Sequence, residues 1–294
     1  MHSLLIFNPV SGKKEARIER LGRIVSGLSE EGAEVTVYQT RGKGDAETYL
    51  KERYTPIYDR IVCCGGDGTL HEVINGVIRS DIDAPIGYIP MGSTNDYAKN
   101  LGITRNTAMK CLQEGAPGAI DIGCVNGEYF NYVAAFGAFT NVSFVTPQEW
   151  KNTLGYFAYL LEGIKQLTDI TPKKIHFCVD GGECLESDVI LGMITNSFSV
   201  AGMKNFNQDK VKLDDGKFEY LFIKFPKNIL ELQAAIASLL NGKIDGRYMY
   251  YGQFSKMTVE CKGLEWTLDG ENGGIADVTE IATCPGAVKI IHKM

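Results

Sequence analysis

The sequence predicts an α/β chain in two parts: a parallel sheet covered by helices, then an antiparallel β region. Three observations predict it. From residue 1 to about 120, short apolar runs alternate with segments of helical period, the pattern of strands joined by crossover helices. Beyond residue 120 the pattern changes to alternating residues separated by hairpin turns, which marks antiparallel strands. The length, 294 residues of which 44% are hydrophobic, supports two buried cores at the usual size of a domain. A boundary is placed near residue 122.

In the first half four strands are expected, Leu4–Phe7, Glu34–Gln39, Arg60–Cys64 and Ile86–Ile89, each read as a short strand buried on both faces. Ile18, Leu21, Val25 and Leu28 recur at helical spacing between the first two, and Val73, Ile74, Val77 and Ile78 do so after the third. The cluster Thr94–Asp96 is expected to cap a further helix. In the second half Asn126-Gly127 and Gly181-Gly182 read as hairpin turns, since both pairs tolerate positive φ. They separate Ile120–Val125 from Tyr129–Val133 and Ile175–Val179 from Val189–Thr195. Helices are expected across Glu149–Leu167 and across Ile229–Leu240, the latter started by Pro226. The apolar run Ala287–His292 fits either an antiparallel strand or a return to the first half.

Composition excludes several classes of function. A net charge of −6 lacks the basic footprint that binding a nucleic acid requires, so no nucleic acid partner is expected. The eight cysteines include no C-x-x-C and read as reduced core thiols. His2, His71, His176 and His292 lack the spacing that puts two ligands on one helical face, so they give no support for zinc. The amino terminus enters a strand without the pattern of a signal peptide, and no run of about 20 apolar residues exists, so a cytoplasmic location is expected.

The stretch Gly65-Gly66-Asp67-Gly68-Thr69-Leu70-His71 follows a buried strand and opens a helix, as an anion site does. Glycines let backbone N–H groups approach a polyphosphate, and the helix N-terminus favours negative charge. It matches neither the phosphate loop G-x-x-x-x-G-K-[ST] nor G-x-G-x-x-G, where His71 replaces the third glycine. A carboxylate there, Asp67, repels phosphate unless a divalent cation lies between them. Two more loops follow strands in the same half and should open on the same carboxyl edge of the sheet. They are Asn8-Pro9-Val10-Ser11-Gly12-Lys13 and Pro90-Met91-Gly92-Ser93-Thr94-Asn95-Asp96, with Thr40 adding a hydroxyl after the second strand. In the second half Asp269-Gly270-Glu271 reads as a solvated turn or as a site needing a base. Lys212-Leu213-Asp214-Asp215-Gly216-Lys217 reads as a hairpin turn or as a holder of a hard cation such as Mg²⁺.

Taken in order and spacing, Asn8–Lys13, Gly65–Thr69, Gly92–Asp96 and Asp269–Glu271 resemble the diacylglycerol kinase catalytic family, which includes sphingosine and ceramide kinases. The resemblance runs from about residue 3 to 290. Gly-Gly-Asp-Gly-Thr is shared with NAD kinases and phosphofructokinases; Gly-Ser-Thr-Asn-Asp and the late Asp-Gly-Glu narrow the match. The resemblance implies a Rossmann-like nucleotide-binding domain, residues 1–122 with 285–294 returning to it, and a β-sandwich lipid-substrate domain, residues 123–284. It implies ATP held by Asn8, Pro9, Ser11, Gly12, Lys13, Thr40, Gly65, Gly66, Asp67, Gly68, Thr69, Leu70, His71, Ser93, Asn95 and Asp96. It implies Glu271 as proton acceptor beside Asp269, and Mg²⁺ on Asp215 with the carbonyls of Lys212 and Lys217. Ser93, Tyr97 and Lys99 stand where threonine, phenylalanine and arginine are common in the family.

The expected reaction is transfer of the γ-phosphoryl group of ATP to a lipid hydroxyl, with diacylglycerol giving phosphatidic acid as the leading case. Such a transfer needs in-line positioning and neutralised charge, with Asp67 steering the metal directly or through water. Transient peripheral contact with a membrane during turnover follows from a lipid substrate, and a homodimer is compatible with the family. Phe136, Phe139, Phe144, Tyr156, Phe157 and Tyr159 are candidate walls of an acyl groove or simple core. Lys151, Lys165, Lys173 and Lys174 are candidate bilayer contacts or a solvated face. Two other readings stand beside this one: phosphorylation of a soluble dinucleotide, as by NAD kinase, and a non-catalytic nucleotide-binding regulator.

Overall fold

The computed structural model describes residues 1–11, 17–30, 32–137, 171–197, 199–200, 203–204, 212–241 and 243–293. The expected Gly12, Lys13, helix Glu149–Leu167, Phe139, Phe144, Tyr156, Phe157, Tyr159, Lys151 and Lys165 lie outside the described residues. The chain is mixed α/β and divides into two compact units, Met1–Ile120 with Gly286–Met294, and Asp121–Pro285.

In the first unit β1 (His2–Phe7), β2 (Glu34–Gln39), β3 (Arg60–Gly65) and β4 (Ile86–Pro90) are all parallel, in the order β2-β1-β3-β4. Leu4, Leu5, Ile6, Ile61, Val62 and Ile86 are fully buried, as strands covered on both faces should be. The second strand departs from the expectation. β2 lies at the sheet edge and none of its residues is buried, because an edge strand has a neighbour on one side only and Glu34, Thr36 and Gln39 give it a polar margin.

The helices are α1 (Arg17–Glu30), α2 (Asp45–Arg53), α3 (Asp67–Arg79), α4 (Asp96–Asn100) and α5 (Ala108–Glu114). α1 buries Ile24 and Leu28, while Leu21 and Val25 of the expected stripe are half-buried; α3 buries Leu70, Val73, Ile74 and Val77. Gly76 lets α2 press against α3: a Cβ there would lie 2.9 Å from Leu50 Cβ and 3.2 Å from Glu47 Cα. No side chain of its own caps α2; the Glu72 carboxylate accepts the N–H groups of Gly44 at 2.7 Å and Ala46 at 3.1 Å. Burial raises the pKa of Glu72, and those two N–H groups pull it back down.

The chain enters the second unit along β5 (Ala116–Val125), followed by β6 (Glu128–Phe130), β7 (Val133–Gly137), β8 (Lys173–Val179), β9 (Cys184–Thr195), β10 (Ser199–Val200) and β11 (Met203–Lys204). After these come β12 (Phe218–Lys224), α6 (Ile229–Leu240), β13 (Met249–Phe254), β14 (Lys256–Leu268) and β15 (Glu271–His292). Pairing in this unit is antiparallel. The strands are not partitioned between two independent sheets. β9 pairs with both β7 and β8, and β14 pairs with both as well, so the four strands close a ring. Inside it Phe136 stands edge-on to Trp266 at 4.8 Å and Phe177 edge-on to Phe222 at 5.0 Å, all buried. Trp266 Nε1–H donates to Thr279 Oγ1 at 3.0 Å, so the buried indole is satisfied. Phe136 is therefore core rather than groove wall.

Turn chemistry explains three further differences and one agreement. Asn126-Gly127 is the expected hairpin, with φ of 49° and 89°. The positive-φ pair of the second hairpin is Asp180-Gly181, at 51° and 69°, and Gly182 is ordinary. The expected Tyr129–Val133 strand breaks at Asn131-Tyr132, where the backbone amides bond to a side chain rather than to a neighbouring strand. α6 starts from Asn228, whose Oδ1 accepts Glu231 N–H at 2.9 Å while Glu231 accepts Lys227 N–H at 2.8 Å; Pro226 lies before this cap. The cysteines also divide: Cys178 and Cys184 form a disulfide across the β8–β9 hairpin, and Cys63, Cys64, Cys111, Cys124, Cys261 and Cys284 stay outside any disulfide. The end of β15 returns to the first unit, where Ile290 and Ile291 pair in parallel with Ile86 and Gly87 of β4.

Truncating Phe136 to alanine should lower the unfolding free energy of the second unit by about 3–5 kcal/mol, the usual cost of an aromatic-sized cavity. Urea denaturation followed by tryptophan emission measures it, and a loss below about 1 kcal/mol would contradict this packing.

Candidate active site

In the first unit three loops at the carboxyl ends of parallel strands are locked together by backbone and short polar side chains. The contact that requires glycine lies between the loops after β3 and β4. A Cβ on Gly92 would lie 2.7 Å from Gly66 Cα, and one on Gly66 would lie 3.2 Å from Gly92 Cα. Neither position can move away, because both contacts are to backbone. Gly65 is fixed in the same way by the Thr69 side chain, and its carbonyl accepts Met91 N–H at 2.7 Å.

The loop after β1 joins through Asn8. Its Nδ2–H donates to Thr69 Oγ1 at 2.8 Å, and its Oδ1 accepts Val10 N–H at 2.9 Å, a side-chain turn that also presents Pro9 and Ser11. Thr40 is buried, and its N–H donates to the Phe7 carbonyl at 2.9 Å, so it ends β2 against β1. Gly66 is the N-cap of α3 and no side chain caps that helix. The first turn of a helix carries N–H groups without intrahelical partners and the positive end of the dipole. Gly68 and Ser93 are exposed beside it, His71 is half-buried, and Leu70 points into the core.

Asp67 has a role that the sequence reading did not assign. Its two carboxylate oxygens accept the N–H groups of Asp96 at 3.0 Å and Tyr97 at 3.2 Å, so it caps α4 from another loop. Within the expected capping cluster Thr94–Asp96, Asn95 stands at the N-cap position in the left-handed region at φ 49° and donates instead to the Gly92 carbonyl at 2.8 Å. Asp96 is buried against Lys99, whose Nζ lies 2.6 Å from Oδ1. Arg105 Nη2–H also donates to the Gly92 carbonyl. The signal for these contacts was the Gly-Ser-Thr-Asn-Asp stretch itself, but which loop caps which helix is a matter of three-dimensional placement.

In the second unit Asp269 and Glu271 flank Gly270 at the turn from β14 to β15, with φ of 51° at Asp269 and 88° at Gly270. The two acids are not equivalent. Asp269 is buried, and its carboxylate accepts the N–H groups of Asn131 at 2.6 Å, Tyr132 at 3.0 Å and Val133 at 3.1 Å. It holds the β6–β7 corner. Glu271 is half-exposed and opposite Leu268 in register. Asn131 Oδ1, beside this corner, is buried without a hydrogen-bond partner.

The Lys212–Lys217 turn belongs to the same unit. Asp215 is exposed and its Oδ1 accepts Lys217 N–H at 3.0 Å, while buried Asp121 accepts Gly216 N–H at 2.6 Å. Next to it Glu219 is buried, with Oε1 bonded to Gln253 Nε2–H at 2.9 Å and Oε2 without a partner. Burial pushes the Glu219 carboxyl up to about 7, and the negative charge of Asp215 adds to the rise. An orphaned buried carboxylate oxygen near a second carboxylate is an arrangement that a hard cation relieves, so these residues fit one.

Residues 2–125 match the family described as the diacylglycerol kinase catalytic domain. The diacylglycerol kinase of Bacillus subtilis (strain 168) is 32% identical over 276 residues, covering 92% of this chain and 90% of that one. The chain belongs to the diacylglycerol kinase family. The diacylglycerol kinase of Staphylococcus saprophyticus is 31% identical over 92% of this chain and 88% of its own. Among solved structures, a diacylglycerol kinase from Bacillus anthracis str. Sterne has a TM-score of 0.75 at 22% identity, covering 99% of this chain and 97% of that one. An NAD kinase from Archaeoglobus fulgidus in complex with ATP shares the fold more distantly, with a TM-score of 0.53 at 12% identity over 100% of this chain and 94% of that one. Membership of this kinase family makes the chain a phosphotransferase. No helix among the described residues is long and apolar enough to cross a membrane.

Removing the Asp67 carboxylate, as in Asp67→Ala, should free the first turn of α4 at a cost of about 1–3 kcal/mol. Hydrogen exchange should then accelerate at the Asp96 and Tyr97 amides while the β1 amides stay protected. Unchanged exchange at both positions would count against the cap.

Proposed function

We propose that the chain transfers the γ-phosphoryl group of ATP to the hydroxyl of a membrane lipid, with diacylglycerol as acceptor and phosphatidic acid as product. The observation that carries this reading is the glycine-on-glycine contact of Gly66 with Gly92, which aligns an uncapped helix start with two polar loops. Backbone N–H groups presented this way suit a triphosphate. The curated relatives bear the name diacylglycerol kinase at 31–32% identity, which supports the choice of acceptor.

In this reading the ATP phosphates lie on Gly65–Thr69 and α3, with Asn8, Pro9 and Ser11 on one side and Ser93, Asn95 and Asp96 on the other. Thr40, Leu70 and His71 support the loops from behind. Asp67 keeps α4 in place with two of its lone-pair sites and retains others for a metal-bound water. Bound Mg²⁺ supplies neutralisation of phosphate charge. A second ion is held by Asp215 with the carbonyls of Lys212 and Lys217, relieving Glu219.

Glu271 receives the proton of the lipid hydroxyl. Asp269 is a positioning residue, since its oxygens already accept three backbone N–H groups. An alcohol has a pKa far above that of a carboxylate, so the proton moves late, as the bond from oxygen to phosphorus forms and the bond to the ADP leaving oxygen breaks. The lipid hydroxyl requires transient contact with a bilayer surface, which the enzyme makes without a spanning segment among its described residues.

Incubation with labelled ATP and mixed micelles of diacylglycerol, ceramide, sphingosine or phosphatidylglycerol, with NAD as a soluble acceptor, tests the assignment. Label in phosphatidic acid is expected; label only in NADP, or in no acceptor, would overturn it. Glu271→Gln should lower kcat by about 10²- to 10⁴-fold with intact folding. Magnesium at 100 times its Kd should raise the unfolding free energy of the protein without nucleotide by about 2.7 kcal/mol. An equal rise in Asp215→Asn would remove the second ion from that turn.

A further inference from the structure

The β8–β9 hairpin carries a group of metal-capable side chains that phosphoryl transfer does not use. Cys178 and Cys184 face each other across the hairpin with Cα atoms 4.3 Å apart, joined as a disulfide. His176 lies two residues before Cys178, on the same face of β8. Ligand atoms of His176, Cys178 and Cys184 all lie within 4.8 Å of one another, with Cys184 exposed and the other two half-buried. Glu260, opposite His176 on β14, places its Oε2 3.6 Å from His176 Nδ1. Glu186, the neighbour of His176 on β9, is engaged by Lys174 at 2.8 Å. The hairpin tip is itself anchored, because Asp180 Oδ1 accepts the N–H groups of Ser255 at 2.9 Å and Lys256 at 2.8 Å.

We propose that His176, Cys178 and Cys184 form a zinc-class metal site when the disulfide is reduced. Two thiolates and an imidazole are a borderline-soft donor set, the kind that selects Zn²⁺ over Mg²⁺ or Ca²⁺. Tetrahedral zinc holds its sulfurs about 3.8 Å apart, given a Zn–S bond of about 2.3 Å. Two cysteines already opposed across a hairpin reach that spacing by side-chain rotation. Water fills the fourth position, and the Glu260 carboxylate orients the imidazole, the usual outer-shell arrangement at a histidine ligand.

The chemistry balances through a dithiol reductant. It gives two electrons to the Cys178–Cys184 bond and becomes a disulfide, and its two protons pass to the cysteine sulfurs. Zinc binding then releases those two protons to solvent as both thiols become thiolates. Disulfide and metal exclude each other because both use the same sulfurs. The hairpin end is clamped in either state, by a covalent bond or by an ion. The sequence signal is His-x-Cys on one strand and a single cysteine on the next, which a search for paired histidines on a helix passes over.

The test is a Co²⁺ titration of the full chain, reduced with a phosphine and desalted without oxygen, followed by displacement with Zn²⁺. One equivalent of Co²⁺ should give the visible bands of a tetrahedral ion with thiolate charge transfer, and Zn²⁺ should abolish them. The oxidised protein and Cys178→Ser/Cys184→Ser should show none. His176→Gln, which keeps both thiols, and Glu260→Gln should each bind at least about 10-fold more weakly. If the double variant fails to fold by circular dichroism, the two single variants decide. Absence of the bands in the reduced protein, their retention in a folded double variant, or unchanged affinity in both single variants would overturn the assignment.

Discussion

The first unit depends on two glycines whose Cα atoms touch. Gly66 and Gly92 stand at the ends of neighbouring parallel strands, and their contact leaves no room for a side chain on Gly92. With the two loops fixed at that spacing, Asn8 reaches Thr69 and Asp67 reaches the start of α4. Each of these bonds is short, so each inherits the precision of the backbone contact. In the proposed reaction the start of α3, which no side chain caps, is what meets the triphosphate.

Several carboxylates among the described residues anchor backbone N–H groups distant in sequence. Glu72 holds the start of α2, Asp67 the start of α4, Asp121 the turn at Gly216, Asp180 the corner at Ser255 and Asp269 the corner at Asn131–Val133. A carboxylate accepting two or three N–H groups has part of the water it loses on burial replaced by amide dipoles. That pattern singles out Asp269, whose oxygens are spent on the β6–β7 corner. In the proposed reaction the buried aspartate sets the corner, and the glutamate beyond Gly270 meets the lipid.

Much of this was legible in the sequence, and what was not has a common cause. The strands of the parallel sheet to within two residues at each end, the Asn126-Gly127 turn, the extent of α6 and the glycine-bearing loops follow from local pattern and φ preference. The misses come from partners distant in sequence. α2 has little apolar periodicity, and its start is capped by Glu72 from α3, so its helical nature was hidden. β2 was read as buried because its residues favour strands, yet burial depends on its place at the sheet edge. The cysteine pairing was missed because no local spacing announces two residues that meet only across a hairpin. The loop acids could be listed from the motif, but only the fold distinguishes a cap from a base.

β15 contributes its first residues to one unit and its last to the other. The free margin of β4 is closed by Ile290 and Ile291, about 200 residues later in the chain. At translation rates of about 5–20 residues per second, that margin waits about 10–40 s on the ribosome for its partner. During that interval a hydrophobic parallel strand edge is open to pairing with any extended peptide nearby, an invitation to mispairing that a chaperone would have to cover.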